Sequence, residues 1–205
     1  MQDHHKNISL GFTPQTFSPG VHVCQILSSD DEREDSLLQF ILSGIRSHER
    51  TSCFSSKTSE RKVEVFLRHH DISYVESRDQ KLLSLSNTED VYFKDNRFEP
   101  DEMLRLLQAF YEEAIGMGYS AARVIGEMSP DIQHVEGGSR LLEYESRVSM
   151  LQRQYPVTAG CQYDARMFDG ATIMDILKVH PLMVVRGTVV HNPFYVKPEE
   201  VLNLS

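Results

Sequence analysis

The sequence predicts an α/β protein with a mainly parallel central sheet, helices on both faces and a β-hairpin near its C-terminal end. Three observations carry this. Short apolar runs alternate with amphipathic helical patterns at least four times, the order that βαβ units produce. Three of the runs, VHVCQIL at 21–27, AARVIG at 121–126 and VTAGCQY at 157–163, are apolar nearly throughout, as strands covered on both faces are. Last, LMVV and TVV flank Arg186-Gly187, which reads as a hairpin turn.

Residues 1–20 contain Pro14, Pro19 and little periodicity. They are expected to form a flexible N-terminal arm that docks through Phe12 and Phe17. His4-His5 is too short for a metal tract and reads as a solvated pair. A single domain is expected over 21–196, followed by a tail at 197–205. Its first strand, 21–27, leads into Ser29-Asp-Asp-Glu32, a capping box in which the Ser hydroxyl takes a free amide and the Glu reaches back. Leu37, Leu38, Ile41, Leu42 and Ile45 then recur at helical spacing. TSCFS at 51–55 is the second strand, and Ser56 or Thr58 caps a helix bearing Val63, Phe66 and Leu67. LLSL at 82–85 is a third strand. Residues 87–97 read as a polar connection long enough to act as a flap.

The strongest helix begins at Pro100, with Glu99, Asp101 and Glu102 at its positive end. Met103, Leu106, Leu107, Phe110, Ala114 and Met117 form its apolar stripe, and Gly116 and Gly118 allow a stop. The strand at 121–126 runs into Glu127. A polar loop at 131–138 precedes a helix capped by Ser139, with Glu143 and Arg147 one turn apart as a surface pair. The strand at 157–163 ends at Asp164. A helix over 169–179 is stopped by Pro181.

With 205 residues the chain is long enough for one full hydrophobic core. Its net charge of −9 argues against general binding to nucleic acid or to an anionic membrane, which needs clustered Lys and Arg. No apolar stretch approaches the roughly 20 residues of a membrane-spanning helix. The first twenty residues lack the regions of a signal peptide, so a cytoplasmic location is expected. Cys24, Cys53 and Cys161 form no CxxC pair and no disulfide framework.

Ligands of open parallel sheets sit outside the carboxyl ends of the strands. That rule selects Ser28 and Asp30 after the first strand, Ser55 and Ser56 after the second, then Glu127, and finally Gln162, Tyr163 and Asp164. The same residue types also serve as helix caps. Glu127 has the chemistry of a general base, a metal ligand or a water-positioning group; it can equally pair with Arg123 or another basic residue. His22 and Cys24, two apart on a strand, face one side and are further ligand-binding candidates. They would make half of a zinc or haem site only if Cys53, Cys161, His180 or His191 converged on them. Their spacing matches no metal motif, and Cys in an apolar strand usually acts as a small hydrophobe. No metal, cofactor or catalytic set is therefore expected. The turn after the first strand has neither the glycine nor the lysine of GxxxxGK[ST], and its acids would repel a triphosphate. GxGxxG and GxSxG are also absent.

In order, H-x-C on the first strand, FEPDEML, RVIGEM, LLEYE, CQYD, a helix ending in HP, and NPFY resemble the MEDS domain. This is a methanogen and methylotroph sensory domain found in regulators of the dichloromethane-responsive type. The resemblance runs from about Val21 to Tyr195. It implies a RecA/KaiC-like core that has lost its phosphate loop, and a sensory role with small hydrocarbon or one-carbon derivatives as ligands. It marks His22, Cys24, Gly126, Glu127, Met128, Glu143, Tyr144, Glu145, residues 161–164, His180 and Pro181. No helix-turn-helix or kinase pattern follows Tyr195. Output is thus expected through a signalling partner, a kinase or transcription regulator, or through self-association. Two alternatives stand beside the sensor: a degenerate nucleotide-binding, ATPase-like enzyme using Glu127 and Asp164 with Mg²⁺, and a non-catalytic interaction scaffold displaying Phe12, Phe17, Phe194 and Tyr195.

Overall fold

Strand and helix alternate along most of the chain, as the periodicities require. The computed structural model describes residues 7–203. Strands β1 (Ile8–Ser9) and β2 (Thr16–Phe17) form a small antiparallel pair. Then come β3 (His22–Leu27), α1 (Asp30–Arg46), β4 (Arg50–Phe54), α2 (Glu60–Arg68), α3 (Tyr74–Asp79), β5 (Leu83–Ser86) and α4 (Thr88–Tyr92). The second half is α5 (Pro100–Gly116), β6 (Ala122–Glu127), α6 (Leu141–Leu151), β7 (Thr158–Asp164), α7 (Gly170–Val179), β8 (Leu182–Val185), β9 (Thr188–His191) and α8 (Pro198–Asn203). The main sheet has the order β5-β4-β6-β7-β3-β8-β9 and is parallel except for β9, which returns antiparallel to β8. Arg186 and Gly187 take positive φ in that turn, which matches the twist of the flanking strands.

Side chains alternate across the sheet and build two cores. Val23, Ile125, Cys53 and Leu83 face α1, α2 and the β1–β2 pair, against Leu37, Phe40, Ile41, Val63 and Leu67. Cys24, Val124, Ala159 and Tyr163 face the other way, against Met103, Leu107, Tyr144, Val148 and Ile176. Every residue of β6 is buried, as in a sheet covered on both faces, and its two charged residues, Arg123 and Glu127, are both ion-paired.

Several details differ from the sequence reading. The cap of α2 is Ser59, whose hydroxyl accepts from the Lys62 amide; Ser55 and Ser56 are used in the preceding turn. Helix α3, too short to show periodicity, is capped by Ser73. Ser139 does not cap α6 but lies within a 3₁₀ turn, Gly138–Arg140. Gly138 is required there, because a Cβ would stand 1.6 Å from the Ile132 carbonyl oxygen. Residues 87–97 are no free flap: α4 and the following turn bury Tyr92 and Phe93. The Tyr92 ring meets Phe54 edge-on at 5.9 Å and Tyr144 at 6.4 Å.

The described part of the expected arm is laid down on the fold. Ile8 and Leu10 are buried, Phe12 stacks on Phe40, and the Gln15 side chain bonds both the N–H and the carbonyl of Val189 at 2.7 and 2.9 Å. The expected tail contains α8, which packs on α6. The His4-His5 expectation lies outside the described residues, as do residues 204–205. Among the described residues no helix is long and apolar enough to cross a membrane.

One polar group lies deep in the first core. Arg123 on β6 is fully buried, with its guanidinium paired to Glu49 at 2.6 and 2.8 Å. It also donates to the carbonyls of Ser9 and Phe40 at 3.0 and 3.3 Å and lies over the Phe40 ring. Gly44 makes room for it, since a Cβ there would meet Arg123 Cδ at 2.7 Å. Arg123→Ala strands the buried Glu49 carboxylate and is expected to cost about 3–5 kcal/mol, measurable as a lower urea midpoint. A loss within roughly 1 kcal/mol would show that Glu49 finds water or another partner.

Candidate functional site

The carboxyl ends of β3, β6 and β7 open into a cavity of about 240 Å³. Leu27, Met128, Pro130, Tyr163 and Met167 supply apolar wall; Ser29, Ser56, Thr88 and Gln162 supply hydrogen-bonding groups. Helix α4 and the 3₁₀ turn Pro130–His134 flank it.

Of its charged lining residues, Glu127 and Asp164 are ion-paired with Arg33 and Lys57, while the Glu89 and Asp131 carboxylates accept from the Ser56 and Ser129 hydroxyls. Glu127 ends β6 and forms a buried ion pair with Arg33, which reaches across from α1. Glu127 therefore pairs with another basic residue, not with Arg123. Asp164 ends β7 and is held by Lys57 at 3.3 Å and Arg166 at 2.7 Å. The Arg166 guanidinium keeps the Asp164 carboxyl well below the usual carboxylate range. Gln162 donates to Gln25 Oε1 at 2.8 Å and to the Arg33 carbonyl at 3.2 Å. Its own Oε1 and the Arg33 Nε are buried without a hydrogen-bond partner among the described residues.

Of the ten sequence candidates, Ser56, Glu127, Gln162, Tyr163 and Asp164 meet at this cavity. Ser28 is exposed and does not line it. Asp30 is also exposed and bonds Arg166 at the rim, 2.7 Å away. Ser55 closes a turn by accepting from the Lys57 and Thr58 amides at 3.2 and 2.9 Å. Ser56 does line the cavity, bonded to the Glu89 carboxylate and accepting from the Thr88 amide. Sequence reasoning missed Arg33, Thr88 and Met167. Arg33 carried a signal: it is the one basic residue near the start of a helix that opens with three acids, where the helix dipole disfavours a cation.

His22 and Cys24 point elsewhere. His22 begins β3 and meets Cys161 of β7, Glu145 of α6 and His180 at the end of α7; one ligand-type atom from each lies within 4.8 Å of the others. His22 Nε2 is 3.2 Å from Glu145 Oε2 and 3.3 Å from Cys161 Sγ. His180 Nε2 is 3.6 Å from Glu145 Oε2. Burial, then the nearby His22, pushes His180 down to about 4. Burial would raise the Glu145 carboxyl, but His180 and His22 outweigh it and hold it down. Burial and Glu145 push the Cys161 thiol up. Of the partners named as necessary for a His22 site, Cys161 and His180 converge. Cys53 lies in the opposite core and His191 is exposed. Cys24 stands in register with Cys161 but contributes no atom to the group. Tyr163 joins the two regions: it lines the cavity, and its hydroxyl donates to Glu145 Oε1 at 2.6 Å.

The model of the MEDS family (MEthanogen/methylotroph, DcmR Sensory domain) matches residues 21–181. The transcriptional repressor DcmR of Methylorubrum extorquens is 31% identical over 80 residues, which are 38% of this chain and 30% of the repressor. The chain thus matches less than a third of that repressor's length. The KaiC-like protein PH0186 of Pyrococcus horikoshii superposes with a TM-score of 0.58 at 12% identity, over 87% of this chain and 79% of its own. The flagellar accessory protein FlaH of Methanocaldococcus jannaschii gives 0.55 at 8% identity, over 83% and 76%. At such identities these two structures establish the RecA/KaiC-like fold alone.

Two outcomes follow for the charges at the cavity. Arg33→Met leaves Glu127 buried and unpaired and is expected to cost about 3 kcal/mol or more. Arg33→Met combined with Glu127→Gln should recover much of that in urea unfolding, and no recovery would deny the coupling. Asp164 has a folded value below its unfolded one. The stability from its ionisation is therefore present above about pH 4 and lost as pH falls. The stability gap between wild type and Asp164→Asn should narrow from about pH 5 toward pH 2; a constant gap would contradict the pairing.

Proposed function

This chain belongs to the MEDS family, and from that premise we propose that its sensory role is exercised through the cavity at the ends of β3, β6 and β7. The ligand is a small, largely neutral organic molecule, a hydrocarbon or one-carbon derivative, and the response passes to a partner protein. The observation that carries this reading is the ion pairing where the strands end: Glu127 with Arg33, Asp164 with Lys57 and Arg166. What is left for a ligand is apolar wall, the hydroxyls of Ser29, Ser56 and Thr88, the Gln162 side chain and the exposed Glu89 and Asp131 carboxylates. Such a surface selects by shape and a few hydrogen bonds.

The nucleotide-binding alternative has less support. The β3–α1 turn has no phosphate cradle, and the two carboxylates that would hold Mg²⁺ are engaged by cations. For the scaffold alternative, Phe12 and Phe17 are partly buried against the first core, while Phe194 is half exposed. Regulation of transcription is named for the DcmR repressor; for this chain it is the output we favour, delivered by differential affinity of the ligand for two arrangements of α4 and the 130–134 turn.

Calorimetry and thermal-shift measurements against short haloalkanes, alcohols, amines and thiols test this. Saturable binding is expected, and Gln162→Ala should weaken it about tenfold, the value of one hydrogen bond. Silence across the panel from folded protein would overturn the reading. Nucleotide turnover lost in Glu127→Gln would replace it with the enzyme.

A further inference from the structure

We propose that His22, Glu145, Cys161 and His180 form a closed binding site for one divalent first-row transition-metal ion, with zinc the best match. This inference does not depend on what occupies the cavity.

The geometry comes first. Ligand atoms 2.0–2.3 Å from a tetrahedral zinc lie roughly 3.3–3.7 Å from one another. Four separations in the group are 3.2 Å (His22 Nε2 to Glu145 Oε2), 3.3 Å (His22 Nε2 to Cys161 Sγ), 3.6 Å (His180 Nε2 to Glu145 Oε2) and 3.8 Å (Cys161 Sγ to Glu145 Oε2). All the atoms lie within 4.8 Å of one another, so a modest contraction closes the shell.

The outer partners fit as well. His180 Nδ1 donates to the Ile176 carbonyl at 2.8 Å. That bond leaves Nε2 as a bare lone pair aimed into the group, buried and without a hydrogen-bond partner among the described residues. His22 Nδ1 meets Ser149 Oγ at 3.0 Å, so its Nε2 also faces inward. The Tyr163 hydroxyl on Glu145 Oε1 orients the carboxylate and leaves Oε2 for the centre. Metal-binding imidazoles and carboxylates are commonly braced by such contacts.

The donor set selects the ion. Two imidazoles, one carboxylate and one thiol suit zinc and its first-row neighbours, and are a poor match for Ca²⁺ or Mg²⁺, which take oxygen. Four protein ligands fill a tetrahedron, and the His22, Glu145 and His180 side chains are 0–2% exposed. The site is therefore structural or regulatory in type, with no open position for a substrate. Cys161 is partly exposed.

The test uses the full chain with His4→Ala and His5→Ala, so that those histidines add no background. The protein is stripped with a chelator and titrated with Co²⁺. A single equivalent should give the visible bands of four-coordinate cobalt and a sulfur-to-cobalt charge-transfer band, and zinc should displace both. Cys161→Ser should abolish the charge-transfer band, and His180→Ala should weaken uptake at least tenfold. Absence of the sulfur band from the unsubstituted group, or uptake unchanged in both variants, would overturn the proposal. The parent spectrum decides even where a variant fails to fold.

Discussion

Everything at the candidate site depends on how helix α1 is set against strand β6, and a buried guanidinium sets it. Arg123 stands inside an apolar layer, where unmatched N–H groups would be costly. It is matched by Glu49, by the carbonyls of Ser9 and Phe40 and by the face of the Phe40 ring. One side chain thus ties the N-terminal strand pair, α1, the approach to β4 and β6 itself. Arg33 and Glu127 make a second tie between the same helix and the same strand, now at the cavity. The first tie is made from β6 to α1 and the second from α1 to β6, so the helix is held at two levels.

That arrangement explains how a RecA/KaiC-like sheet comes to present a site of a different character. The fold brings strand ends together at a mouth, as parallel sheets do. The side chains there line the mouth with apolar groups and hydroxyls and tie Glu127 to Arg33 and Asp164 to Lys57 and Arg166. Tyr163 places this pocket one side chain away from the His22, Glu145, Cys161 and His180 group. The two regions therefore share one phenol, which is lodged in a packed core.

Much of this was legible in the residues. Helical periodicity at Met103, Leu107 and Ala114, the Ser29 cap and the largely apolar run at 121–126 each depend on neighbours a few positions away. They led to elements where the structure has them. The errors arose where local pattern was short or ambiguous. Tyr92 and Phe93 sat in a stretch dominated by polar residues, and only their packing against Phe54, Phe98 and Tyr144 turns that stretch into part of the core. Ser56 and Thr58 are the expected caps of α2, and the turn geometry selects Ser59 instead.

The sequence alone determined the fold class, the absence of a GxxxxGK[ST] motif after the first strand and the carboxylates that finish β6 and β7, because period, composition and strand ends are local properties. Tertiary structure decided which charges pair and which ligands meet. Arg33 finding Glu127, and His22 finding Glu145, Cys161 and His180, follow from strand order and register. Those are settled by packing among segments far apart in the chain, and no local pattern encodes them.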